Sequence, residues 1–328
     1  MAAANAKGPA SPLAPYIEGL VATKRACGFS YDSEEAELAR FDRFCRERGV
    51  AEARIDRELA MAWAEPRGSE GATHRAQRVS FVRQLALYMV ACGVECYVPS
   101  HFTPSSKRMV YVPGKDEVCQ LLSAADSYAS SATACRSWVR IGYPVEFRLM
   151  YCCGLRISEC ACLRRADVDL GAGTLTVRRS KGDKDRVVYL ASDSAAMCEG
   201  YWKSVVKAAG AAPAWFFPGE DIRNHITASG IRKKFQQLWA RTEASRLSSR
   251  NPTPHSLRHA FVVNRINAWA EAGVDLDEMM PYLSRYLGHA GPTETFYYYH
   301  QSLDAMAVVR ERDSVLARVA PEVIPHGQ

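Results

Sequence analysis

The sequence predicts a mainly α-helical chain with one small β-hairpin or sheet, an α+β protein of two domains. Three observations carry this expectation. Apolar residues recur at helical spacing along most of the chain. The period changes once, to short β-branched runs at 175–179 and 186–190. The length, 328 residues, is more than one ordinary domain uses. Hydrophobic residues make up 48% and charged residues 24%, a globular balance. No apolar run approaches the ~20 residues of a membrane span.

The opening MAAANAKGPASP is small and polar and lacks the apolar core of a secretory signal, so residues 1–11 read as a loose tail. Residues 12–99 read as four helices: APYIEGLVATKRA, SEEAELARFDRFCRERG, DRELAMAWAE and THRAQRVSFVRQLALYMVACG. Gly49 and Gly93 serve as stops. Three prolines and the adjacent Lys107 and Arg108 mark VPSHFTPSSKRMVYVPG as extended, with a linker over 100–114. A second domain follows over 115–300. KDEVCQLLSAAD, residues 136–153 and LRISECACLRRADVDL read as helical. LTVRR and RVVYL flank the turn SKGDKD and read as a hairpin. From Ile222 onward helices return: ITASGIRKKFQQLWART, HSLRHAFVVNRINAWAEAG and DEMMPYLSRYLG. Residues 301–328 hold a helical run, LDAMAVVRERDSVLARV, and a proline-containing tail. Its apolar stripe suits a groove on a neighbouring subunit or on its own domain.

Net charge is +6, and residues 106–328 carry all of it, since residues 1–105 balance 13 basic against 13 acidic side chains. A basic bias of this kind fits a polyanionic partner. The eleven cysteines include Cys152, Cys153, Cys160 and Cys162 in one stretch. Their spacing does not match paired zinc ligands. They read as small buried hydrophobes in a reducing cytoplasm.

Several polar residues stand where plain surface charge is not expected. Arg156, in CCGLRISEC, sits among apolar neighbours and needs an anion, either a ligand or Glu159 one turn on. His255 and Arg258, in HSLR, share a helix face and together suit a phosphate. Lys181 and Lys184 lie at the hairpin turn, flanked by Arg178, Arg179 and Arg186; such a tip suits a DNA groove, or a solvated turn. His289 ends LGH, and Tyr297, Tyr298 and Tyr299 follow eight to ten residues later. A helix rotates ~100° per residue, so at most one of the three tyrosines can face the site of His289.

Taken in order, GLRISE, the basic hairpin with SKGDK, HSLRH, LGH and TxxYxH resemble the tyrosine recombinase (phage integrase-like) family, the site-specific recombinases of the Xer, Cre and lambda integrase type. The resemblance spans residues 12–300. It implies a helical core-binding domain and a catalytic domain closing as a C-shaped clamp on double-stranded DNA. It implies catalytic roles for Arg156, Lys181, His255, Arg258, His289 and Tyr298. Two registers select Tyr298: three residues past Thr295 and nine past His289. Tyr297 and Tyr299 become packing residues. Ser180 stands where the family's hairpin turn has glycine, and the stretch RINAWAEAGVDLDEMMPYLSRY is longer than in compact members. The implied reaction passes through a covalent 3′-phosphotyrosine, with no cofactor and no metal. Implied partners are the DNA site, a homotetrameric synapse on two duplexes and sister recombinases; no membrane is implied. Arg178, Arg179, Lys184, Arg186, Lys107 and Arg108 are candidate DNA contacts. A relaxing type IB topoisomerase and a non-catalytic recombinase partner are the rival readings.

Overall fold

The computed structural model describes residues 11–68, 70–100, 111–131, 137–180, 184–248, 250–289, 291 and 294–295, with backbone alone at 137, 179, 180 and 184. The chain divides into two compact units, Met1–Arg108 and Met109–Gln328.

The first unit holds α1 (Ala14–Ala26), α2 (Asp32–Glu47), α3 (Arg57–Ala64) and α4 (Ala72–Ala91). Their apolar stripes meet in a core of Leu13, Leu38, Phe41, Ile55, Trp63 and Leu85, each at most 1% exposed. Asp56 starts α3 by accepting a hydrogen bond from the Leu59 N–H at 2.8 Å. Ser11, expected in the loose tail, is instead 4% exposed, and its N–H and hydroxyl both donate to Asp42.

The second unit contains α5 (Lys115–Ser130), α6 (Ser137–Cys152) and α7 (Ile157–Ala161), then strands β1 (Val168–Asp169), β2 (Thr174–Ser180) and β3 (Lys184–Tyr189). Helices α8 (Ser192–Ala209), α9 (Ala228–Trp239), α10 (Glu243–Leu247), α11 (Pro254–Glu271) and α12 (Leu276–Leu287) complete it. The sheet is antiparallel in the order β1-β2-β3, with Val177 opposite Arg186 and a register shift between Val177 and Ser180. Phe147, Leu175, Val188, Phe235 and Leu257 share one core, and a smaller cluster of Val262, Ile266, Met280 and Leu287 joins α11 to α12.

Three expectations need correction. The helix expected through LRISECACLRRADVDL ends at Ala161; a 3₁₀ turn at Arg165–Asp167 and then β1 follow. The reason is tertiary, since Val168 and Asp169 pair with Leu175 and Thr174 across a tight turn. Helix α8 is an addition to the expected elements, although its buried Cys198, Tyr201 and Val205 fall at helical spacing. Of ten described cysteines, Cys45, Cys153, Cys160 and Cys198 are buried as expected, but Cys27, Cys92, Cys119, Cys152 and Cys162 are exposed. Burial pushes the thiols of Cys45, Cys153 and Cys198 up to about 12. Among the described residues no group of three or more ligating side chains could hold a metal ion. Nor is any described helix long and apolar enough to cross a membrane.

Candidate active site

The site begins at the turn between α6 and α7. Gly154 there has φ +64°, and a Cβ would lie 2.7 Å from Cδ1 of Phe261 on α11. A side chain is therefore excluded by conformation and by space. Arg156 follows as the residue capping α7. Its N–H donates to Oε2 of Glu159 at 2.8 Å, and its Nη1 to Oε1 at 2.7 Å. Its Nη2 donates to the Gly288 carbonyl at 3.1 Å, joining this turn to the end of α12.

Helix α11 starts at Thr253 with a capping box and Pro254 in its first turn. That start presents His255 and Arg258 to the same region. Arg258 is fully buried. Its Nη1 donates to the Gly154 carbonyl at 2.6 Å and its Nη2 to the Leu287 carbonyl at 2.7 Å. The same Nη2 lies 3.0 Å from Nε2 of His289. Gly288 closes α12 in the left-handed region, at φ +67°, and so delivers His289 to this place.

The hydrogen bonds assign the His289 tautomer. An arginine only donates, so Nε2 is the acceptor and Nδ1 carries the proton. Nδ1 then donates to Oγ1 of Thr295 at 2.8 Å, and Thr295 is fully buried. In this arrangement both ring nitrogens are engaged, whereas the expected role of His289 is donation to a phosphate. That role requires Nε2 to gain a proton, through ring protonation or a tautomer change in which the Thr295 hydroxyl donates to Nδ1, and to exchange Arg258 for the phosphate oxygen.

His255 stacks edge-on against His259, with ring centroids 4.4 Å apart. Burial, then the charges of Arg258 and Arg156, lower His255 to about 4. Burial and the neighbouring His255 and Arg258 lower His259 to about 3. Both rings are thus neutral at physiological pH, so His255 has an unprotonated ring nitrogen.

Glu159, 5% exposed, gathers the arginines. Burial pushes its carboxyl up, but the hydrogen bonds and charge of Arg186 and the hydrogen bonds of Arg156 outweigh burial and hold it at about 2. Arg258 Nη1 lies 4.0 Å from its Oε2. The motif shows Glu159 only as a possible partner of Arg156; its bond to the sheet through Arg186 is new.

Of the expected catalytic residues, Arg156, His255, Arg258 and His289 converge here. Lys181 and Tyr298 lie outside the described residues, as do Lys107 and Arg108. The side chains of Arg179 and Lys184 do too. Arg178 stands 56% exposed on the outer face of β2, paired with Asp167 at 2.5 Å. Arg186, also a candidate DNA contact, is placed differently from Arg178. Its side chain is 8% exposed and points inward, because it alternates with the outward Val187 and Tyr189.

Residues 114–304 match the phage integrase family. The integrase/recombinase y4rB of Sinorhizobium fredii is 31% identical over 306 residues, covering 90% of this chain and 95% of its own. The tyrosine recombinase XerD of Rhizobium meliloti is 25% identical over 290 residues, covering 87% of this chain and 89% of its own. A lambda integrase tetramer bound to a Holliday junction shares the fold, with a TM-score of 0.56, 18% identity and coverage of 88% of this chain and 79% of that one. With its arginines, histidines and family match in agreement, the chain belongs to the phage integrase family and is a tyrosine-type site-specific recombinase.

Proposed function

We propose that this recombinase cuts and rejoins double-stranded DNA with Tyr298 as nucleophile. The tyrosine oxygen attacks the scissile phosphorus, the bond to the 5′ oxygen breaks, and a 3′-phosphotyrosine holds the strand until a 5′ hydroxyl reverses the step. The observation that carries this reading is the convergence of Arg156, Arg258 and His289, tied by Arg258 to His289 at 3.0 Å and by Arg156 to Gly288 at 3.1 Å. Two guanidiniums there suit the non-bridging oxygens of a phosphoryl transition state. They supply the positive charge that a metal ion gives in other nucleases, so cleavage proceeds without one. Neutral His255 accepts the tyrosine proton, and Lys181 protonates the leaving oxygen.

Both units engage the duplex, chiefly through backbone contacts, so affinity falls steeply with salt. Residues 301–328 pass to a neighbouring subunit and help close a tetramer on two duplexes. The enzyme works in the cytoplasm, alone or with sister recombinases. The test is Tyr298→Phe on a nicked suicide substrate built from DNA flanking its own gene. Binding should persist and the covalent adduct should vanish, while Tyr297→Phe and Tyr299→Phe still cleave. An adduct formed by Tyr298→Phe would refute the assignment.

A further inference from the structure

Strand β3 brings a third arginine to the site. Arg186 lies on the inner face with Val188 and Leu190. Burying a guanidinium is costly unless it is paired and hydrogen-bonded. Arg186 is paired, with Nη1 2.8 Å from Oε1 of Glu159 and Nη2 2.7 Å from Oε2. Its Nε, however, is buried with no hydrogen-bond partner among the described residues. Incompletely satisfied buried ion pairs add little stability over apolar replacements. The arrangement around Arg186 points to a different task.

Glu159 serves two arginines at once. Oε1 accepts from Nη1 of Arg156 at 2.7 Å and Nη1 of Arg186 at 2.8 Å. Oε2 accepts from the Arg156 N–H at 2.8 Å and Nη2 of Arg186 at 2.7 Å. A carboxylate has about four lone-pair directions, and all are taken. The Arg156 side chain is consequently bound to Glu159 through Nη1 alone and cannot fork onto the carboxylate, which leaves its Nη2 on the Gly288 carbonyl at 3.1 Å. Were Arg186 gone, Glu159 could close on Arg156 with both oxygens and spend that charge inside the protein.

We propose that Arg186 is a positioning residue of the cleavage reaction: by taking one lone pair on each Glu159 oxygen, it limits the Arg156 side chain to a single contact with Glu159, keeps its Nη2 on the Gly288 side and leaves the guanidinium directed at the scissile phosphate. This rests on the recombinase reading above and assigns Arg186 a part in it. It also ties the strand leaving the Lys181 turn to the phosphate-binding arginine.

The experiment is a double-mutant cycle read by single-turnover adduct formation with the full chain. Arg186→Gln should bind DNA as the wild type does and cleave about 10–100-fold more slowly, the usual cost of losing a residue that orients a reacting one. In an Arg156→Ala background the same change should add less than about threefold, because coupled residues are non-additive. The loss should also shrink on a scissile methylphosphonate, which carries less charge for Arg156 to meet. It should remain on a 5′-bridging sulfur substrate, whose leaving group needs no acid. Wild-type cleavage by Arg186→Gln, additive costs, or rescue by the sulfur alone would overturn the proposal. If Arg186→Gln does not fold, Arg186→Lys replaces it; a lysine serves one oxygen, so a smaller non-additive loss is expected, and wild-type cleavage overturns the proposal. A wild-type protein that forms no adduct would instead fail the recombinase reading itself.

Discussion

Each unit buries a carboxylate against arginine, and the two arrangements differ in their charge balance. In the first unit Arg78, 1% exposed, meets Glu70 with Nε and Nη2 each 2.7 Å from a carboxylate oxygen, and the exposed His74 reaches the same carboxylate at 2.9 Å. Its remaining donors go to the Trp63 and Glu65 carbonyls, and its guanidinium stacks on the Trp63 ring. That pair is neutral and closed, a clasp for the loop between α3 and α4. In the second unit one carboxylate, Glu159, faces Arg156 and Arg186 directly and Arg258 at 4.0 Å. Three cations against one anion leave an excess of positive charge in a sheltered place. A closed pair holds a fold together; an unbalanced cluster is built to receive an anion.

The largest expected effect breaks the unbalanced cluster. Arg156→Ala or Arg258→Ala should slow adduct formation by about 10²–10³-fold, the scale of losing one transition-state donor. Arg258→Ala should also lower stability, because it frees the carbonyls of Gly154 and Leu287. By contrast Arg78→Ala should cost about 3–5 kcal/mol in urea unfolding, the usual price of a broken buried pair. Cleavage per folded molecule should stay at the wild-type rate. A cleavage defect in folded Arg78→Ala would erase the contrast.

Acid sharpens the comparison next. Glu70, held near 2 chiefly by its hydrogen bonds from Arg78, and Glu159, held near 2 by its arginines against burial, are both depressed below the ordinary 4.5. Each therefore contributes stability above pH 4.5 that is lost as pH falls toward 2, for Glu159 about 3 kcal/mol. Glu146 has the opposite sign: burial alone raises it to about 8. From pH 4.5 to 8 the unfolded chain releases a proton that the folded chain keeps, so stability declines over that range. Glu146→Gln should remove this slope in urea titrations at several pH values; an unchanged slope would place the titration elsewhere.

A smaller effect concerns the histidines. With His255 at about 4, single-turnover cleavage should be flat from pH 5 to 6.5, where an ordinary histidine would produce an inflection. The smallest is Thr295→Val, which removes the acceptor of His289 Nδ1. About a tenfold slower cleavage with unchanged DNA binding is expected, from the loss of one neutral hydrogen bond.

Much of this was legible in the sequence. Helical spacing gave α1 to α4, α11 and α12, and the β-branched runs gave β2 and β3. The motifs located Arg156, His255, Arg258 and His289, because a cation in an apolar setting or two polar groups on one helix face announce an anion site. Arg186 was singled out only for its nearness to a basic turn, without its inward direction. Strand alternation could have shown that direction, since residues 186, 188 and 190 share a face and Val188 is fully buried. Glu159's second arginine was not legible, because β3 lies 27 residues away and only the fold joins them. The end of α7 at Ala161 was likewise hidden, since strand pairing rather than local propensity decides it.

The most direct test of the unbalanced cluster as a metal-free phosphoryl-transfer site is a single measurement. Wild-type protein is trapped on a nicked suicide substrate in excess EDTA, and the DNA-bearing peptide is mapped by mass spectrometry. The account predicts an adduct on Tyr298 that forms as fast as it does with Mg²⁺ present. A strict requirement for Mg²⁺, or DNA carried by any other residue, would contradict it.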